Sequence, residues 1–334
     1  HRRKDLPKSA LKAVHTIRQK ALETHDTPQL IAAMLSTYQL EKEISPDSTQ
    51  RVLEDMERFC AAETRPVPRA LWHSVLGQVL NQESSVEDIF GDELVDIEDE
   101  QAKTPLTRSL EHFRAAFQDI PALATAKVED YEALFNVSPQ AATRIDHKLL
   151  VALLQDLFEI ENYHSKPPFS VAEFVALLEK SRDLFLKNQE ERAALQAEIL
   201  LLQAKGDSYL ENFTSTLSLD NDEKTDVGEK CTFVSQAAAL EAVEKVLARY
   251  GHLPEAGEVA VWQCHLMVSD EENIAQQLPK AITLAKEYTK KYEDFAHEFK
   301  NFINEHTHPT FEVAWANNKV VKAGRALYPE TEVV

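Results

Sequence analysis

The sequence predicts an all-α protein, an antiparallel helical bundle, and three observations carry that reading. Glycine is scarce, with seven in 334 residues against a usual share of roughly 7%, and turn-rich or sheet-rich folds need glycine at positive φ. Four times a hydroxyl residue precedes a proline: Thr27-Pro28, Ser45-Pro46, Thr104-Pro105 and Ser138-Pro139. Each writes a helix start, because the hydroxyl accepts from a free N–H and proline at the first helical position has no N–H to leave unpaired. Amphipathic runs with short connections follow, as antiparallel neighbours in a bundle require.

The elements follow in order. Helices are expected near 8–24, 28–43, 48–63, 68–82, 105–119, 122–135 and 139–163, forming an N-terminal bundle over 1–165 with an acidic insert at 83–102. "HSKPPFS" at 164–170 marks a boundary, since two prolines force extended chain. Ser170 and Glu173 then read as a capping box opening a C-terminal lobe over 170–334. Its longest feature is one 4-3 register over about 170–213, running through Phe174, Leu178, Ser181, Phe185, Asn188, Arg192, Leu195, Ile199, Leu202, Gly206, Tyr209 and Phe213, with Gly206 as a kink or stop. Residues 216–230 are polar and aperiodic and read as a mobile loop. A helix over 234–250 is expected to end at Gly251 as a left-handed cap.

A second long helix over about 279–305 carries Ala281, Ala285, Tyr288, Tyr292, Phe295, Phe299 and Phe302 on one stripe. Matched seams suggest a coiled-coil-like pair of long helices. The stripe reads as core, with a partner groove as the alternative. Near the C-terminus, Phe311, Val313 and Trp315 alternate before Asn317-Asn318, so a short hairpin and a helix both stay open.

Composition bounds function. Fifty-six acidic against thirty-six basic residues leave a net charge of −20, which opposes nucleic-acid binding. Residues 1–20 are the basic exception (Arg2, Arg3, Lys4, Lys8, Lys12, Arg18, Lys20), read as a solvated face with contact to a membrane or an acidic partner as the alternative. Three scattered cysteines (Cys60, Cys231, Cys264) give no disulfide framework and suggest a reducing, cytoplasmic setting. The start at His1 without methionine suggests part of a longer chain.

Several chemistries lack their motifs. The sequence has no Walker A loop, no G-x-G-x-x-G, no G-x-S-x-G, no H-E-x-x-H and no C-x-x-C. Neither cofactor nor metal ligand nor catalytic residue is assigned. Cys264-His265 lie adjacent and therefore diverge on a helix, so Cys264 reads as core with Ala260 and Met267. Two acid-x-x-His pairs, Glu161/His164 and Asp294/His297, have the spacing of di-metal bundles. The first shares an inward face with Leu150, Leu154 and Leu157, whereas the second points to water. Arginines 58, 65, 69, 108, 114, 144 and 192 are the candidates for a finger acting on a small GTPase.

The most distinctive stretch is "SSVEDIFGDELVDIEDE". Nine carboxylates fall between Glu83 and Glu100, with no Lys or Arg between Arg69 and Lys103. As a helix, Val86, Ile89, Phe90, Leu94 and Ile97 make one apolar stripe. As a strand, "LVDIEDE" resembles the hydrophobic-acidic motifs that add a strand to SUMO-like modifiers. A catalytic carboxylate cluster fits least, because catalytic acids need contrasting environments. A plain acidic loop between two helices is the first reading, and a partner-binding acidic segment the second. The expected partner-binding residues are Val86, Ile89, Phe90, Asp92, Glu93, Leu94, Val95, Asp96 and Ile97. The expected role is a protein-interaction module (adaptor, tether or regulator), acting through acidic and aromatic helical surfaces on a basic or groove-like partner. A GTPase regulator and a di-metal enzyme follow in that order.

Overall fold

A computed structural model describes residues 2–90, 104–134, 148–163, 169–214, 233, 235–269 and 273–307. The chain is all α, with thirteen α-helices and no strand among the described residues. A lone antiparallel bridge joins Lys127 and Lys148. No described helix is long and apolar enough to cross a membrane. The chain divides into two compact units, His1–Ser170 and Val171–Val334.

In the first unit, α1 (Arg2–Thr24) packs on α2 (Thr27–Ile44), which is followed by α3 (Thr49–Ala62), α4 (Pro66–Phe90), α5 (Pro105–Ala116), α6 (Ile120–Thr125) and α7 (Leu149–Tyr163). On α1, Lys8, Lys12 and Lys20 face solvent, while Arg18 reaches Asp55 on α3 at 2.9 Å. Local chemistry explains the helix starts. Asp26, one residue ahead of the expected Thr27, caps α2 by accepting from the Gln29 N–H at 3.1 Å. Aspartate reaches that donor with a charged oxygen and so displaces the threonine. Thr104 caps α5 as expected, accepting from Thr107 N–H. Pro46 instead opens a one-turn 3-10 segment, Pro46–Ser48, with no side-chain cap.

Two expected helices are shorter. The 122–135 segment is α6 plus a 3-10 turn at Val128–Tyr131, and α7 begins only at Leu149. The Ser138-Pro139 start lies outside the described residues. The core of this unit is built from Ile31, Met34, Met56, Trp72, Leu76, Leu80, Phe113, Leu123, Leu150 and Leu154, all buried.

The second unit contains α8 (Val171–Lys187), α9 (Glu191–Thr214), α10 (Gln236–Tyr250), α11 (Gly257–Val268), α12 (Ile274–Lys291) and α13 (Ala296–Thr307). The expected single helix over 170–213 is two helices packed on one another. Gln189 takes φ 61°, in the left-handed region, and Glu190 N–H bonds back to the Phe185 carbonyl at 2.9 Å. That six-to-one bond past a left-handed residue closes a helix end. Asn188 through Glu190, in the polar middle of the register, are therefore the turn, Arg192 lies in the first turn of α9, and α9 continues through Gly206.

The stripe expected over 279–305 is broken as well. α12 ends at Lys291 with Tyr292 as its cap, a 3-10 turn covers Glu293–Phe295, and α13 starts at Ala296. The two long helices of the expected coiled-coil-like pair are thus four shorter ones. Tyr292, Phe295, Phe299 and Phe302 are buried and Tyr288 is half-buried, so the aromatic stripe is largely core. Gly251 has φ −61° and is no left-handed cap. A side chain there would collide with the Leu247 carbonyl oxygen, and its own carbonyl accepts from the Tyr292 hydroxyl at 2.9 Å. The 216–230 loop and the 311–318 hairpin lie outside the described residues.

Candidate functional site

A cluster of chemically active side chains forms where α3, α4 and α5 meet in the first unit. α3 turns Leu53, Met56 and Cys60 inward, at spacings of three and four residues. Phe59 stacks on Trp72 of α4, with ring centroids 5.9 Å apart and planes 11° from parallel. That stack pins α3 to α4 and brings the next residue on each, Cys60 and His73, into one cleft. One turn along α4, Gly77 faces the Phe113 ring of α5 so closely that an added Cβ would sit 2.9 Å from it. The Ser109 hydroxyl donates to the Gly77 carbonyl at 2.8 Å in the same crossing. Small residues let the two helices approach, and the approach sets His73 against His112.

The geometry is specific. His73 Nδ1 and His112 Nδ1 are 2.8 Å apart, with ring planes 45° from parallel. Cys60 Sγ and one nitrogen of each imidazole all lie within 4.8 Å of one another. Glu57, one turn before Cys60, places Oε1 3.9 Å from His112 Nε2 and accepts from Arg108. Glu57, Cys60, Ala61, Arg69, His73, His112, Ala115 and Gln118 line an open cleft of about 360 Å³. Arg69 is tied to Gln118 at 3.3 Å.

Burial sets the charge states. It lowers His73 to about 4, helped by His112 and Arg69. Burial also lowers His112, against the pull of Glu57. The Cys60 thiol is pushed up to about 11 by burial, with Arg69 opposing and Glu57 adding. At neutral pH the site therefore holds a thiol and two neutral imidazoles. Glu57 faces His112 Nε2 and favours the proton there, which leaves His112 Nδ1 as acceptor and makes His73 Nδ1–H the donor of the short bond. A thiol held this high is a poor nucleophile. Its sulfur and the two nitrogens are, however, the donor types that suit a borderline-soft divalent metal.

The residues named from sequence fall elsewhere. Val86, Ile89 and Phe90 lie on the final turns of the α4 backbone, whereas Asp92, Glu93, Leu94, Val95, Asp96 and Ile97 lie outside the described residues. Glu83, at the head of the acidic stretch, accepts from the Tyr38 hydroxyl and from Lys42 Nζ at 2.6 Å. Burial raises its carboxyl, but Lys42 and Tyr38 more than offset this and leave it below the ordinary range. Lys42 comes from α2, so the counter-charge missing from the local sequence arrives through packing.

Of the acid-x-x-His pairs, Asp294 and His297 are exposed as expected, and His164 lies outside the described residues. Most described candidate arginines are engaged: Arg58 with Asp55, Arg65 with Glu63, Arg108 with Glu57 and Arg192 with Glu255, while Arg114 lies over the Phe169 ring. Cys264 is fully buried, and His265 turns instead to Phe302 and His306, with ring centroids 4.9 and 6.3 Å away. The Cys60–His73–His112 set was missed because no short motif contains it. No family model, no curated protein and no solved structure matches this chain.

Proposed function

We propose that this protein is an interaction module, an adaptor, tether or regulator, that engages a basic partner through the segment at the end of α4. The observation behind this reading is the length of α4. Its first turns are anchored by buried Leu71, Trp72, Leu76 and Leu80, and the same helix continues to Phe90. That continuation carries Val86, Ile89 and Phe90 at spacings of 0, +3 and +4, the register of an anchor stripe for a groove. Glu83 to Glu100 supplies nine carboxylates, which would speed encounter with a positive surface and fix its orientation.

The test compares affinity capture by the intact chain with capture by two variants. One carries Ile89→Asp with Phe90→Asp. The other reverses charge at Asp92, Glu93 and Asp96. Both variants are first checked for unchanged helix content by circular dichroism. The expected result is a specific partner lost from both, with association to the wild type slowing as salt rises. An identical bound set across all three proteins would remove the proposal.

A further inference from the structure

We propose that Cys60, His73 and His112 bind one zinc ion, with Glu57 as the positioning residue for His112. This stands apart from the interaction reading above and would survive its failure. The first argument is convergence. Three ligand-type side chains from three helices point their donor atoms into one cleft, all within 4.8 Å of one another. In a tetrahedral zinc site with bonds of about 2.0–2.1 Å to nitrogen and about 2.3 Å to sulfur, two nitrogens sit about 3.3 Å apart and sulfur sits about 3.6 Å from each. The His73–His112 nitrogens, now 2.8 Å apart, need to open by only about half an ångström. One thiolate with two imidazoles suits zinc, whereas magnesium and calcium prefer all-oxygen shells.

The surroundings are those of a supported site. Glu57 lies on the far side of the His112 ring from Nδ1, 3.9 Å from Nε2. A carboxylate behind a ligating imidazole fixes its tautomer and raises its basicity. Arg108 holds Glu57 in turn. Cys60 is buried while both histidines border the open cleft, so an ion has a path inward and a fourth position facing solvent. Binding balances as follows. Zinc replaces the proton on Cys60 Sγ, which leaves to solvent. The Nδ1 proton of His73 is given up while Nε2 takes one from water, so both Nδ1 lone pairs face the metal and one proton is released in total.

The experiment uses the full chain, stripped of metal and then given Zn²⁺ or Co²⁺ alone. Elemental analysis is expected to find one zinc per chain after exhaustive dialysis. Co²⁺ is expected to produce visible tetrahedral bands and a near-ultraviolet thiolate-to-cobalt band. That charge-transfer band should disappear in Cys60→Ser and persist in Cys264→Ser and Cys231→Ser. Competition with a chromophoric chelator should show Glu57→Gln binding zinc about 10–100-fold more weakly. X-ray absorption of the wild-type zinc form should show one sulfur and at least two imidazole nitrogens, a readout that needs no variant to fold. The proposal is overturned if the wild type retains no stoichiometric zinc, if its zinc shell lacks sulfur, or if a folded Cys60→Ser keeps both the charge-transfer band and its affinity.

Discussion

Cys60 in the first unit and Cys264 in the second are both buried thiols, and burial raises both, to about 11 and about 12. Their surroundings differ in kind. Cys264 has a histidine beside it in sequence, yet that ring belongs to another contact set, against Phe302 and His306. Cys60 stands between Phe59 and Ala61 in sequence, and its histidines come from other helices. The difference shows what makes a site in an all-helical protein. Adjacent residues diverge by about 100° around the axis, so chemical convergence depends on where helices cross and how closely they approach.

The largest effect expected on either side of this comparison is the pH response of His265. Burial, with His306 adding, lowers His265 to about 4, while in the unfolded chain it titrates near 6.5. Between those values the unfolded state binds the extra proton. The stabilisation is therefore complete above pH 6.5 and is lost as pH falls toward 4, by at most about 3 kcal/mol. Urea unfolding of the second unit, followed by Trp262 fluorescence in a Trp72→Phe, Trp315→Phe background, should show this loss. His265→Leu should flatten it. A pH slope unchanged by that substitution would show that His265 is not the group responsible.

Two glycines sharpen the comparison next. Gly77 underlies the Phe113 ring in the first unit, and Gly257 underlies the Phe295 ring in the second. Alanine at either position overpacks a buried aromatic and is expected to cost about 1–3 kcal/mol. Only Gly77→Ala also wedges α4 from α5 and separates His73 from His112. Zinc affinity should therefore fall in Gly77→Ala and stay unchanged in Gly257→Ala, at similar losses of stability. Equal affinities in the two variants would break the link between the α4–α5 approach and the site.

The same contrast marks what the sequence could and could not reveal. The fold class was legible because it rests on local chemistry: few glycines, and threonine–proline pairs that begin helices, as at Thr104. The break at Gln189 was not, because a 4-3 register continues through a tight turn when its polar residues fall in phase. Asn188 and Arg192 kept the phase while the backbone reversed. The break after Tyr292 hid in the same way among aromatics that are buried on either side of it. The burial of Cys264 and the exposure of Asp294 and His297 followed from periodicity alone. The Cys60–His73–His112 set did not, because His73 and His112 lie 13 and 52 residues beyond Cys60. The Phe59–Trp72 stack and the close α4–α5 approach at Gly77 bring them together, and neither contact has a sequence signature.

The smallest expected effect concerns how the two helices that carry these histidines begin. α5, which carries His112, starts at Thr104, whose hydroxyl oxygen accepts from the Thr107 N–H at 3.2 Å. α11, which carries His265, starts after Ala256 with no side-chain cap and relies on burial of Val259, Ala260 and Trp262 instead. Thr104→Ala removes a real cap and is expected to cost about 1 kcal/mol. Ala256→Ser offers α11 a hydroxyl, but Ala256 is fully buried, so any capping gain is set against burying an extra polar oxygen. Its net effect should therefore not mirror the threonine loss. Because Thr104 sits two turns before His112, fraying there should leave the Ser109–Gly77 contact in place. Zinc affinity in Thr104→Ala should then match the wild type even as the unfolding midpoint drops. A variant that loses metal in proportion to stability would mean that His112 is positioned by the integrity of all of α5 rather than by its crossing with α4.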